Sequence, residues 1–451
     1  MRPLEEATEA GSLTERHPGN HRIGRIDFAL GRGIQGIYTG DTTMNTDAPL
    51  GVLDGYKVLD FTQYVAGPTV TLMMAEMGAE VMKVELAPGG DKTRLAPMQV
   101  NGRSGYYVQH NRGKKSLCVD PKTPEGLAIL KALVAKVDVV VENFAPGVIA
   151  RMGLGWEAVK SINRRAIMCS VSAFGQTGPL SSQPGFDTLG AAYAGITSMG
   201  GEPDGPPYVV MAAIGDVSTG AHAMGAIACA LLYRERSGRG QYLDLSLLDT
   251  YFHYHEASVQ IHSLSKGAYK PMRSGLHNFY LAPVGVFKAR NGHIIIMCPM
   301  DHIFVFLCNA MGRPELAQDS RFIDNQSRVK NCGALVDEIE RWIALLPSDA
   351  AALAAMREHR VPCAPVLSVE EAINHPHLRE RGTIRKVHDR ILGEFELPGF
   401  ALRFSDFPAQ LDLEAPFLGE HNAEVLGDYL GYTSEEIADL ERRGVIRHER
   451  H

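Results

Sequence analysis

Cysteine and tryptophan are scarce in this chain, with seven and two among 451 residues. The cysteines, Cys118, Cys169, Cys229, Cys298, Cys308, Cys332 and Cys363, are scattered. No two of them form C-x-x-C or another metal-ligand spacing, and an odd count suits a reducing compartment better than a disulfide framework. Long hydrophobic runs are also lacking: no stretch approaches the roughly 18 apolar residues a membrane helix needs. The opening MRPLEEATEAGSLTERHPGN is polar and acidic, without the apolar core of a signal peptide. A cytoplasmic protein with no membrane partner is expected. Charge of one sign is not in excess either. Lys plus Arg number 45 against 52 Asp plus Glu, a formal charge of -7, so nothing draws the whole molecule to nucleic acid. His-Glu-x-x-His, P-loop, G-x-S-x-G and deaminase zinc signatures are missing, which removes the hydrolases and nucleotide triphosphatases most readily seen in sequence. No metal is expected.

What is present is an ordinary globular composition, 45% hydrophobic and 22% charged, with length for two or three domains. Residues 1–50 lack sustained periodicity and read as an N-terminal extension, partly disordered or draped on the body. Their Gly31-Arg32-Gly33-Ile34-Gln35-Gly36 matches G-x-G-x-x-G, but the Gly, Thr and Asp that follow make a poor helix, so it is a weak dinucleotide signal. From Gly51 strand and helix alternate. Lys57–Phe61 reads as a buried strand, Ala66–Pro68 as a turn, Thr69–Gly78 as an apolar helix and Glu80–Leu86 as the next strand. This is a βαβ unit, which implies a parallel sheet. Ser116–Val119, Asp138–Glu142, Ala166–Val171 and Gln241–Leu247 continue the strands, and Thr123-Pro124-Glu125 opens a helix. Ala221–Leu232 predicts a small-residue helix buried on most sides. Further on, Val284–Lys288 and His293–Met297 predict a hairpin, Val336–Leu346 an amphipathic helix, and Thr433-Ser434-Glu435-Glu436 a capping box.

Two stretches could carry chemistry. In Ala213-Ile214-Gly215-Asp216 a loop becomes a helix, so Asp216 reads either as an N-cap or as a carboxylate near free amides, able to attack an activated acyl carbon. Ser172–Pro179, followed by Gly185-Phe186-Asp187, is a strand end running into a glycine-rich loop, where parallel sheets collect ligands. Asp187 reads as a capping or turn residue, or as part of that site.

The ordered motifs Asp60-Phe61-Thr62 with Ala66-Gly67-Pro68, Met77–Glu85, Asn111–Ser116, Val141–Gly147, Met152–Gly155, Phe174–Pro179, Gly215-Asp216 and Ser237–Gln241 resemble the family III coenzyme A transferases. The resemblance implies an α/β fold: an open Rossmann-like large domain with a parallel sheet, plus a smaller α+β domain, in an interlocked homodimer. It divides the chain into the extension at 1–50, a CoA-binding domain at 51–255, a small domain with linkers at 256–365, and a return to the large domain at 366–451. It implies CoA transfer from an acyl-CoA to a free carboxylic acid, with Asp216 forming first a mixed anhydride and then an aspartyl-CoA thioester. The CoA thioester is a substrate, and no permanently bound cofactor is implied.

For CoA binding the matching positions are Val65, Ala66, Val119, Lys122, Asn143, Phe144, Ala145, Arg151, Pro184, Phe186 and Asp187. An arginine common after the strand glutamate is here Leu86, which turns attention to Lys92 or Arg94 for the adenine and phosphates. The racemase branch carries a histidine where this chain has Phe186, which cannot move a proton. A racemase of 2-methylacyl-CoA and a non-catalytic CoA-binding protein are the alternatives. Arg273–Tyr280 stands in place of the glycine lid of oxalate-using relatives. Its Arg273, His277, Asn278 and Tyr280 suggest recognition of a small dicarboxylic or hydroxy acid, whereas Phe186, Phe279 and Tyr251 could equally wall an apolar pocket.

Overall fold

The computed structural model describes residues 51–407 and 411–449. The N-terminal extension and its G-x-G-x-x-G match lie outside the described residues. The central sheet contains β1 (Lys57–Asp60), β2 (Glu80–Leu86), β3 (Lys114–Val119), β4 (Val139–Glu142), β5 (Ile167–Ser172) and β6 (Tyr242–Ser246). Its order is β3-β2-β1-β4-β5-β6, and every pairing is parallel. This is the doubly wound order, in which the chain reverses direction across the sheet between β1 and β4 and opens a crevice at their carboxyl ends.

Alternation along the strands explains the layers. Leu59, Met82, Leu117, Val140 and Met168 face one core, while Val58, Val81, Val139, Val141 and Ile167 face another. A strand covered on both faces must be apolar at successive positions, which is why these segments read as unbroken hydrophobic runs. The helices that matter here are α1 (Ala66–Glu76), α2 (Pro124–Val134), α3 (Asp187–Tyr193), α4 (Ile214–Ser237), α5 (Leu247–His253), α6 (Cys332–Leu345), α7 (Asn422–Leu430) and α8 (Ser434–Arg442). The first core takes Ile129 and Leu133 of α2 with Val425 and Leu440 of α7 and α8, and the second takes Met74 of α1 with Ile227 of α4.

A separate core, including Phe287, Ile294, Phe304, Ile339 and Ile343, sits under a small antiparallel sheet. That sheet joins β7 (Val284–Lys288), β8 (His293–Met297) and β9 (Cys363–Pro365), with the expected hairpin in register and α6 covering it. After β9 the chain returns to the large sheet: Arg385 pairs with Glu76 of α1 at 3.1 Å, and the Asp120 amide donates to the Val445 carbonyl at 2.8 Å. The described residues nevertheless form one compact unit, so the division at residues 255 and 365 is a proposal resting on the third core.

Two local expectations are corrected. The Ala66–Pro68 "turn" is the first turn of α1. Proline is tolerated there because first-turn amides have no intrahelical partner. Helix α4 is not buried on most sides: Ala221, Gly225, Ala228 and Leu232 share an exposed face, while Ala223, Ile227 and Ala230 carry the packing. The Thr433 capping box closes as expected on Glu436.

Candidate active site

The crevice is built on a buried charge network. Asp60, at the end of β1, accepts from the Thr62 amide at 2.8 Å, the Thr62 hydroxyl at 2.5 Å and the Thr71 hydroxyl at 2.7 Å. The Lys114 ammonium stands 3.1 Å from it. Lys83, also fully buried, donates to the Thr62 carbonyl at 2.7 Å and pairs with Asp91 at 2.8 Å. Burial pushes the Asp60 carboxyl up, but Lys114, Lys83 and the threonine hydrogen bonds outweigh it and leave it below its ordinary value. Buried charges survive only when paired in this way. The result is a rigid β1–α1 loop.

The far side of that loop is clamped from β4. The side-chain amide of Asn143 accepts from the Gln63 amide and donates to the Gln63 carbonyl, both at 2.8 Å. Between the two clamps Tyr64 adopts φ +65°, a left-handed conformation that costs an ordinary residue on the order of 1–2 kcal/mol. Val65 then occupies the N-cap of α1 without a side-chain cap.

Asp216 arrives from the other side. It lies in the first turn of α4, whose N-cap is Ala213, so it caps nothing. Gly215 before it donates its amide to the Tyr251 hydroxyl at 2.9 Å and to Asp187 Oδ1 at 3.1 Å, and Tyr251 donates to the same Asp187 oxygen at 2.5 Å. A Cβ on Gly215 would stand 2.1 Å from the Tyr251 ring, so only glycine permits this triangle. Asp216 itself has no hydrogen-bond partner among the described residues. Burial, then the neighbouring Asp187 charge, pushes its carboxyl up to about 7. Asp216 shares a cleft of about 170 Å³ with Tyr64, Val65, Ala66, Asn143, Ser172 and Phe186. Asp216 thus shares its cleft with Val65 and Ala66 at the N-terminus of α1, where first-turn amides lack intrahelical partners.

Residues 53–422 match the family description CoA-transferase family III. The chain belongs to that family. It is similar to succinyl-CoA–D-citramalate CoA-transferase of Chloroflexus aurantiacus, at 36% identity over 89% of this chain and 100% of that one. It is also 36% identical to acetyl-CoA:oxalate CoA-transferase of Acetobacter aceti, over 84% of this chain and 96% of the relative. Among solved structures, a CAIB/BAIF family protein from Brucella suis superposes with a TM-score of 0.73 at 34% identity, over 84% of this chain and 99% of that one. This chain is accordingly a family III CoA-transferase, an enzyme moving CoA between acyl-CoA and acid.

Of the CoA positions expected in this CoA-transferase, Val65, Ala66, Asn143 and Phe186 line the Asp216 cleft. Asp187 touches it indirectly, through Gly215. The rest fall elsewhere along the carboxyl edge of the sheet. Phe144 donates its amide to Glu142 at 2.8 Å, and Ala145 is exposed beside it. The Val119 side chain is wholly inside the core, which leaves that residue only backbone to offer. Lys122, Arg151 and Pro184 are exposed, with the Arg151 guanidinium folded back over Gly147.

Several side chains are committed to the protein. Arg94 grips Glu85 through contacts of 2.6 and 2.7 Å and stacks on Tyr107, so of the two cations considered near Leu86 only Lys92 is exposed. The segment expected to read the acid is likewise engaged. Arg273 donates to the Glu202 and Ser198 carbonyls, Asn278 caps the Tyr280 and Leu281 amides, and Tyr280 donates to Glu256 at 3.0 Å. None of these lines the Asp216 cleft of the same chain. Tyr251 is not a pocket wall; its hydroxyl serves the Asp187 triangle.

Tyr64 and the role of Tyr251 escaped sequence reasoning. The φ of Tyr64 leaves no compositional trace, and Tyr251 meets Asp187 from 64 positions away.

Proposed function

We propose that this enzyme transfers CoA from succinyl-CoA to a small dicarboxylic acid, with Asp216 as the nucleophile. An Asp216 oxygen attacks the thioester carbonyl, the C–S bond breaks, and CoA thiolate leaves a mixed anhydride. The thiolate then attacks the aspartyl carbonyl, releasing the donor acid and forming an aspartyl-CoA thioester. The acceptor carboxylate attacks that thioester, and the freed thiolate takes the new acyl group, regenerating Asp216. Covalent steps keep thioester energy from being lost to water.

The observation that carries the reading is the unpartnered Asp216 carboxyl in a cleft walled by the α1 N-terminus. The acceptor class is supported by D-citramalate and oxalate, both dicarboxylic acids, in the names of the two relatives; their donors differ, and succinyl-CoA is the first to try. Racemisation is disfavoured, since Phe186 in the cleft cannot exchange a proton.

The assembly is a homodimer, supported by the small-residue face of α4 and by the exposed apolar run Tyr208–Met211 just before it. The cytoplasmic assignment rests on seven unpaired cysteines, and no helix among the described residues is long and apolar enough to cross a membrane.

Hydroxylamine added after acyl-CoA should convert Asp216 to a hydroxamate detectable by peptide mass spectrometry. Full transfer by Asp216→Ala would overturn the mechanism. A panel of free acids in which dicarboxylates are inert would overturn the acceptor class.

A further inference from the structure

The lining of the cleft includes two aromatic rings that take no part in the bond-making steps above. Tyr64 is 47% exposed and Phe186 66% exposed, and their rings meet edge-to-face at a centroid distance of 6.3 Å and an angle of 90°. Both line the Asp216 cleft. Large aromatic surfaces left open to water in a cleft lining mark a place that a ligand covers.

Their backbones are held firmly. Tyr64 follows Gln63, which Asn143 grips from both sides, and its left-handed φ persists because the flanking loop is so constrained. Phe186 is the N-cap of α3, its carbonyl accepting from Leu189 and Gly190, and the next residue, Asp187, is tied to Tyr251 and Gly215. Each ring therefore hangs one residue from a fixed point.

We propose that Tyr64 and Phe186 form an aromatic gate that limits the size of the acyl group reaching Asp216, admitting short acyl chains and rejecting long ones. This rests on the Asp216 reading and adds a size rule to it. A cleft of about 170 Å³ is smaller than the roughly 300–1,000 Å³ of sites that take larger ligands, and the two rings in edge-to-face contact form part of its lining. Excess methylenes meeting such walls are rejected by roughly 10–200-fold each.

The test is the ratio of kcat/KM for octanoyl-CoA to that for succinyl-CoA, in the wild type, Phe186→Ala and Tyr64→Gly. Glycine is chosen at position 64 because it accepts φ +65° without strain, so the loop is retained while the ring is lost. Phe186, mostly exposed, can be truncated without opening a core. We expect the ratio to rise at least tenfold in each variant relative to the wild type. An unchanged ratio in active variants would overturn the gate while leaving the Asp216 chemistry intact. A wild type that prefers octanoyl-CoA would overturn the size rule and the short-acid reading, and hydroxylamine trapping at Asp216 would still report separately on the nucleophile. Loss of assembly by light scattering, without a change in ratio, would show the rings to be interface residues and overturn the gate.

Discussion

Tyr251 donates its hydroxyl to Asp187 Oδ1 at 2.5 Å, and that same oxygen accepts the Gly215 amide. The pair joins the first residue of α3 to α5 and fixes where α4 begins. Asp216 inherits its position from this contact, one residue downstream. Asp187 also places a negative charge beside Asp216, second only to burial in raising that carboxyl.

Tyr251→Phe removes the hydroxyl while keeping the ring. It should cost about 1–3 kcal/mol of stability for the two lost hydrogen bonds, one accepted from the Gly215 amide and one donated to Asp187. Activity should fall by roughly tenfold, since a misplaced nucleophile loses about 1.4 kcal/mol of transition-state stabilisation for that factor. Transfer assays alongside denaturant unfolding would separate the two effects; unchanged kcat would show that the triangle does not position Asp216.

Gly215→Ala should be more severe. The new Cβ would stand 2.1 Å from Tyr251 Cε2 and 2.4 Å from Asp187 Oδ1, and neither can retreat without breaking the triangle. Overpacking of this kind costs about 1–3 kcal/mol. A variant with wild-type melting temperature and full activity would refute the geometry.

The Asp216 carboxyl sits at about 7 in the folded protein against an ordinary 3.8. Between those values the folded chain holds a proton that the unfolded chain has released, so its contribution to stability falls as pH rises through that window and is flat above it. Asp216→Asn should therefore match the wild type near pH 4. By pH 8 it should be more stable, by on the order of 2–4 kcal/mol. Urea unfolding at the two pH values measures it, and an Asp216→Asn variant no more stable at pH 8 would sink it.

The same titration governs rate. A nucleophilic carboxylate must be ionised, so kcat/KM for acyl-CoA should rise with pH through about 7. Asp187→Asn removes the like charge and should move that limb to lower pH. The move should be partial, because burial is the larger cause and remains. A limb that does not move in the Asp187→Asn enzyme would show that Asp187 does not tune Asp216.

Sequence made the sheet legible because strands covered on both faces must be continuously apolar, and Val139–Val141 shows it plainly. The place of Asp216 where a loop becomes a helix was legible too, through its neighbouring glycine and the family motifs. The capping reading of Asp216 and Asp187 failed because composition near a helix start cannot distinguish a cap from a first-turn residue whose side chain points away. Tyr64 was hidden because left-handed φ in a tyrosine is imposed by the loop clamps at Lys83 and Asn143, contacts that join distant strands. The engagement of Arg273 and Tyr280 was hidden for the same reason.

The open face of α4 gives the last prediction. Ala221, Gly225, Ala228 and Leu232 lie three or four residues apart and are exposed in the single chain, with Leu232 at 56%. A Cβ on Gly225 would meet nothing within 4 Å. Gly225→Glu therefore has room in the single chain, and exchanging glycine for a better helix former should raise helix stability by a few tenths to about 1 kcal/mol. In a homodimer packed through this face the same change would bury an unpaired carboxylate, which costs several kcal/mol. Light scattering at micromolar concentration should then show the wild type as a dimer and Gly225→Glu as a folded monomer, with unaltered far-UV circular dichroism. A wild type that scatters as a monomer would refute the homodimer outright. A Gly225→Glu protein that remains dimeric would place the interface on another face, away from α4.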